Sequence, residues 1–178
     1  MIDRDEAQTG TRQRARRVDA LVRAFIERLQ ATLVHHLRDE RAHVRVHAAR
    51  ALGEARSTRA APAIAELLRD RSWWVRDSAE KALVALGRPG IREALRLLED
   101  GDPFARDSAA EVLQDSGYLD RCVTAAASGD TEAVAVLAKV RRVVGDALVE
   151  SAVVRVGPCD ETLLQDDADY ARRRAVAS

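Results

Sequence analysis

The chain is 178 residues long, 47% apolar and 33% charged, enough apolar material for one ordinary domain or a short repeat array and too much for a disordered chain. Aromatic residues are 3% of the total while alanine occupies 33 positions, a composition that suits closely spaced helices and argues against a sandwich or barrel. Basic and acidic residues balance at 29 each, which excludes a globally basic nucleic-acid binder.

Taken in chain order, residues 1–11 are polar, without the apolar run of a signal peptide, and are expected to fray. A basic arm, Arg12-Gln13-Arg14-Ala15-Arg16-Arg17, follows. The rest, 12–176, is expected to form one domain of helix pairs, with units at about 17–56, 57–87, 88–117, 118–145 and 146–176. The first unit pairs a helix from Arg17 to Arg38 with one from Arg41 to Ala55. In the second, Ala60–Arg69 carries Pro62 in its first turn, where a missing N–H does no harm. Ser72 then caps a helix whose stripe, Val75, Ala79, Ala82, Leu83 and Leu86, has helical spacing. In the third, Ile91–Glu99 precedes Asp102-Pro103, an N-cap followed by proline, and the stripe Ala105, Ala109, Val112, Leu113. Gly87 and Gly117 are expected to close the second helices as left-handed caps. Tyr118–Ala127 with Glu132–Val144 makes the fourth unit, and Ala147–Val156 with Thr162–Val176 the fifth. There Thr162 and Gln165 fit a capping box, Asp166 and Asp167 occupy the first turn, and Arg172, Arg173 and Arg174 the last.

The units share more than length. Arg76-Asp77-Ser78-Ala79 recurs as Arg106-Asp107-Ser108-Ala109, and Leu67-Leu68 as Leu97-Leu98. Aspartates follow at Asp39, Asp70, Asp100, Asp130 and Asp160, and in the first three units an arginine stands six residues on, at Arg45, Arg76 and Arg106. The stretches Leu37–Gly53 and Leu68–Leu86, with the pattern Leu-Arg-Asp…Val-Arg-x-x-Ala-Ala-x-Ala-Leu-Gly, resemble HEAT-like repeats of the short bacterial type first described in phycobilin lyases. The resemblance covers about 30–117 well and 118–176 weakly. It implies an all-α solenoid of about five helix pairs, with Asp39, Asp70 and Asp100 joined to Arg45, Arg76 and Arg106 in a structural ladder through successive turns. In the last two units the arginine positions hold Val136 and Asp166.

Candidate chemistry is sparse. His43 and His47 stand at i, i+4, but in line with Arg50 and Glu54 and away from the Val44, Ala48, Leu52 stripe, so a solvated face is expected and no metal. His36 takes the column of Leu67 and Leu97, an edge of the core. The paired His-Glu dipeptides of iron-binding HEAT hydroxylases do not occur. Cys122 sits in an apolar helix without a histidine nearby in sequence and is expected to be an inert buried thiol, and Cys159 a surface residue. Two cysteines suit a reducing cytosol, and no run is long enough to span a membrane. Nucleophile and phosphate motifs are missing, so no catalytic residue, cofactor or metal is expected.

Binding is the better prospect. The basic arm lacks interleaved aromatics, and basic excess is confined to residues 12–59, which disfavours nucleic acid, including the glycosylase-like use of Trp73 and Asp77. Residues 129–170 are acidic, so a basic front and acidic rear would permit head-to-tail self-association. The column His43, Trp74, Phe104, Val134, Leu164 is expected to pack between layers, and the column Ala42, Trp73, Pro103, Ala133, Leu163 to leave Trp73 more exposed. Trp73, Trp74 and Phe104 are the candidate partner-binding residues. The expected function is a cytoplasmic, non-enzymatic protein-binding scaffold. The alternatives are an accessory or lyase-like protein acting on a protein substrate, and a HEAT-type nucleic-acid binder.

Overall fold

The computed structural model describes residues 4–157, with side chains for 12–14 and 16–157. All regular structure among the described residues is helical. The first helix, α1, runs Arg4–His36, well ahead of the expected start at Arg17, because residues 4–16 are mostly strong helix formers. It is about 50 Å long at 1.5 Å per residue, against about 20 Å for its partner α2, Ala42–Glu54.

The second unit opens less regularly than expected. A 3-10 turn at Thr58–Ala60, a five-residue helix α3 at Ala61–Ala65 and a second 3-10 turn at Glu66–Arg69 replace one helix. Pro62 does sit in the first turn of α3. The remaining helices are α4 Trp73–Leu86, α5 Arg88–Leu97, α6 Pro103–Asp115, α7 Tyr118–Ala127, α8 Thr131–Val144 and α9 Asp146–Val156. The expected helix at 162–176, with its capping box, Cys159, Asp160, Leu163, Leu164 and Asp166, lies outside the described residues.

Chain reversals after the second helices use positive φ: Gly117 at 64° is left-handed as expected, Gly87 at 67° has a ψ of −129° and so lies outside the left-handed helical region, and Arg56 at 47° serves the first unit, where no glycine is available. Two other glycines serve packing. A Cβ on Gly53 would lie 2.8 Å from the Cα of Ala82, so α2 and α4 pass almost backbone to backbone. A Cβ on Gly90 would lie 2.0 Å from the carbonyl oxygen of Leu83, where α5 folds back over the end of α4.

The second helices contact one another in sequence, α2 on α4, α4 on α6 and α6 on α8, while α3 meets α5 and α7 meets α9. Between them lies a long aliphatic core, in which Leu52, Ile64, Leu68, Leu83, Leu97, Leu113 and Leu119 are fully buried, and a second small cluster of Cys122, Ala126 and Ala133 lies between α7 and α8. Val75, Ala79, Ala82, Leu83 and Leu86 all point inward, as the periodicity requires. No helix among the described residues is long and apolar enough to cross a membrane.

Candidate interaction surface

The turns joining the helices of each unit are built on a repeated device. Oδ1 of Asp39, Asp70 and Asp100 accepts the backbone N–H two residues on, from Arg41, Ser72 and Asp102, at 2.9, 2.9 and 3.0 Å. The carbonyl of the same aspartate accepts from Nη1 of the arginine six residues on: Arg45 at 2.8 Å, Arg76 at 2.8 Å and Arg106 at 3.1 Å. Each arginine therefore holds its own turn closed from the following helix.

Between turns the expected ladder is made once in the expected way. Arg45 also reaches the next unit and grips the Asp70 carboxylate with Nε at 2.7 Å and Nη2 at 2.9 Å. At the next step the expectation for Arg76 fails. Its guanidinium turns over the Phe104 ring, 4.6 Å from the centroid, and Asp100 is taken by Arg69 instead, through Nε and Nη2. The stack of a flat cation on an aromatic face is favourable in itself, and it takes Arg76 away from the carboxylate of the next turn. The Arg69 contact holds the Asp100 carboxyl below its ordinary range, helped by the Asp102 N–H. Asp39, beyond the end of the series, pairs with the neighbouring Arg41 and is lowered to about 2.

The fourth turn is different. Oδ1 of Asp130 accepts from the N–H groups of Glu132 and Ala133 at 2.9 and 3.2 Å and caps α8, as Oδ1 of Asp102 does from Phe104 and Ala105 at 2.8 and 3.4 Å to cap α6. Asp130 therefore corresponds to Asp102 and not to Asp100. Val134, not Val136, stands in the arginine place, and Glu132 in that of Phe104.

The same geometry corrects the expected burial of Trp74. It is 68% exposed, more than Trp73 at 56%, and Phe104 is 54% exposed. The inward position is taken by Val75, Ala105 and Ala133, so Trp74, one residue earlier on the helix, projects away from the core. Trp74 instead stands at the mouth of an open groove between α2 and α4 whose walls include Val46, Arg50, Gly53, Asp77 and Lys81. The two indoles meet edge to face, 4.7 Å apart. His43 and His47 are both exposed on α2.

On the other side of α4, Glu80 lies against α6. Burial pushes its carboxyl up to about 7, the Ser108 hydroxyl opposes that shift, and the negative charges of Glu111 and Asp77 add to it. Spacing offered one sign of this cluster: acids 31 residues apart on neighbouring second helices. Cys122 is buried in α7, and burial raises its thiol above the ordinary range. Among the described residues no three His, Cys, Asp or Glu side chains converge as a metal site would require.

The turn device and the stacked second helices have a counterpart among known proteins. Residues 29–114 match the family model of HEAT repeats. Over that stretch the chain is HEAT-like, and the match takes in the whole of α2 to α5, nearly all of α6, and the three turns with the Asp and Arg device. No curated protein is similar enough to be matched to the chain.

Proposed function

We propose that this chain is a non-enzymatic protein-binding scaffold, an α-solenoid of about five HEAT-like units of the short bacterial type, acting in the cytoplasm. Its partner surface centres on Trp73, Trp74 and Phe104. The observation that carries this reading is where the rings are. The chain has two tryptophans and two phenylalanines, and all four are more than half exposed while the core is aliphatic. A chain that spends its few large rings on solvent is equipped to bury them against something else, and Trp is enriched where binding energy concentrates.

HEAT repeats generally mediate contacts between proteins, which favours a protein as that partner. The groove beside Trp74 carries Arg50 and Glu54 on its α2 wall and Asp77 and Lys81, paired with each other at 2.8 Å, on its α4 wall, a mixed lining suited to a helical or extended segment carrying both charges. The test is affinity capture from the native cell with the wild-type chain and the Trp73→Ala, Trp74→Ala double variant, read by mass spectrometry. Proteins held by the wild type and released by the variant are the expected result. An identical set on both baits refutes the assignment of this surface.

A further inference from the structure

The aromatic groove does not account for the most apolar exposed surface of the molecule, which lies on α1. Val18, Leu21, Val22, Phe25, Ile26 and Leu29 are 45% to 71% exposed. At 100° per residue they fall within an arc of about 140° on one side of the helix. The side of α1 that meets the rest of the chain adjoins this arc and overlaps it only at the Ile26 edge, where Ile26 lines the same recess as Arg23, Glu27 and Gln30. Leu33, Val34 and the buried Leu37 bind it to the core, and Arg23, Glu27 and Gln30 face the turn at Arg56–Arg59, with Glu27 3.5 Å from Arg59.

Charge selects what covers the stripe. Residues 12–29 hold six arginines and two acids. On the helical projection Arg14 falls inside the apolar arc, Arg17 and Arg28 follow one edge, and Arg12 and Arg23 follow the other. A second α1 is a poor occupant, since a parallel pair sets the arginine-rich ends side by side and an antiparallel pair brings Arg17 alongside Arg28. Nucleic acid would satisfy the arginines but leave the apolar centre of the arc against phosphate and water. An anionic lipid surface satisfies both. Arginine stems lie over apolar surface while their guanidinium groups reach phosphate, and the six apolar side chains enter the boundary between headgroups and acyl chains.

We propose that α1 is a membrane-surface helix that lies on anionic phospholipid through the face Val18–Leu29. The attachment is reversible and lies in the interface, since α1 is not a spanning helix. It places the basic end of the molecule at the bilayer.

The experiment is co-sedimentation of the full chain with vesicles of phosphatidylcholine alone and of phosphatidylcholine mixed with phosphatidylglycerol. Binding to the mixed vesicles is expected to be at least about tenfold tighter, and to fall at about 1 M salt, where charges are screened beyond about 3 Å. The Leu21→Asp, Phe25→Asp variant should lose about tenfold or more on mixed vesicles with its circular dichroism unchanged, since both side chains are exposed. Arg14→Glu with Arg17→Glu should lose affinity only for the anionic vesicles. The Trp73→Ala, Trp74→Ala variant should bind vesicles as the wild type does, which separates this surface from the protein-binding one. Equal binding to both vesicle types, or none, overturns the proposal. So does a wild-type dimer that Phe25→Asp dissociates without vesicle binding, or a stripe variant that keeps its vesicle binding and instead loses a captured protein.

Discussion

Replacing Arg45 by alanine removes the one guanidinium that ties the first turn to the second. Its side chain is 17% exposed and that of Asp70 10%, so the pair is largely withdrawn from water. The loss has two parts. Asp70 keeps only the Ser72 N–H, and a withdrawn carboxylate deprived of its cation typically costs about 3–5 kcal/mol, with residual exposure placing this one near 3. The carbonyls of Asp39 and Glu40, at 2.8 and 3.0 Å, lose a donor but are close enough to solvent to recover part of about 1 kcal/mol. Arg45→Ala should therefore cost about 3–4 kcal/mol, a fall in urea midpoint of about 1.5 M or more at a slope near 2 kcal/mol/M. Arg76→Ala removes one carbonyl bond and one stack on Phe104 and should cost about 1–2 kcal/mol. Far-UV circular dichroism against urea measures both, and a cycle with Asp70→Ala should return a coupling of about 2 kcal/mol with Arg45. A cost for Arg76→Ala equal to that of Arg45→Ala, or a coupling near zero, refutes the assignment of the inter-turn bond to Arg45.

Three further outcomes follow from the geometry. Glu80 holds its proton more tightly folded, near pH 7, than unfolded, near 4.5, so stability falls as pH rises between those values. Glu80→Gln should remove that fall and, after discounting for partial exposure, gain about 1 kcal/mol at about pH 8 and nothing at about pH 4, as read from urea midpoints. Trp73→Ala and Trp74→Ala should each leave stability within about 1 kcal/mol of wild type, since both rings are exposed; a loss near 3 kcal/mol for Trp74 in thermal unfolding would contradict its position at the groove mouth. Gly90→Ala puts a methyl against the Leu83 carbonyl and should cost about 2 kcal/mol or more, and a wild-type melting temperature would mean that α5 moves freely away from α4.

The sequence announces this fold where side-chain chemistry repeats with the backbone. Aspartate and arginine six residues apart mark three turns because each pair closes a turn by itself, and the inward stripe of α4 follows from helical spacing alone. The partners between turns are less legible, because a long guanidinium chooses among neighbours within reach. Arg76 finds Phe104, and Asp100 finds Arg69, a residue the six-residue rule does not mark. Asp130 misleads for another reason: its thirty-residue step from Asp100 coincides with a turn two residues shorter, so the columns beyond it shift by two. Trp74 misleads because an apolar column does not reveal which of two adjacent columns faces the core, and Val75, one residue on, takes the inward place. The groove and the Glu80 cluster depend on neighbouring helices and have only faint linear signatures. The stripe of α1 is visible as helical spacing, but whether the protein covers it is decided by tertiary contacts.

The bonds between turns end at Asp100. Arg45 joins the first turn to the second and Arg69 the second to the third, whereas Asp130 spends its carboxylate on its own helix and Val134 replaces the arginine. The front of the molecule is therefore cross-braced, while among the described residues α8 meets α6 without such a bond, with Val136 and Leu137 packed on the core and Lys139 reaching Glu99 just beyond the end of α5 as a half-exposed link. Directional bonds resist sliding and aliphatic contact does not. Under a bending load the stiffness is unequal along the described chain, and flexure concentrates between α6 and α8.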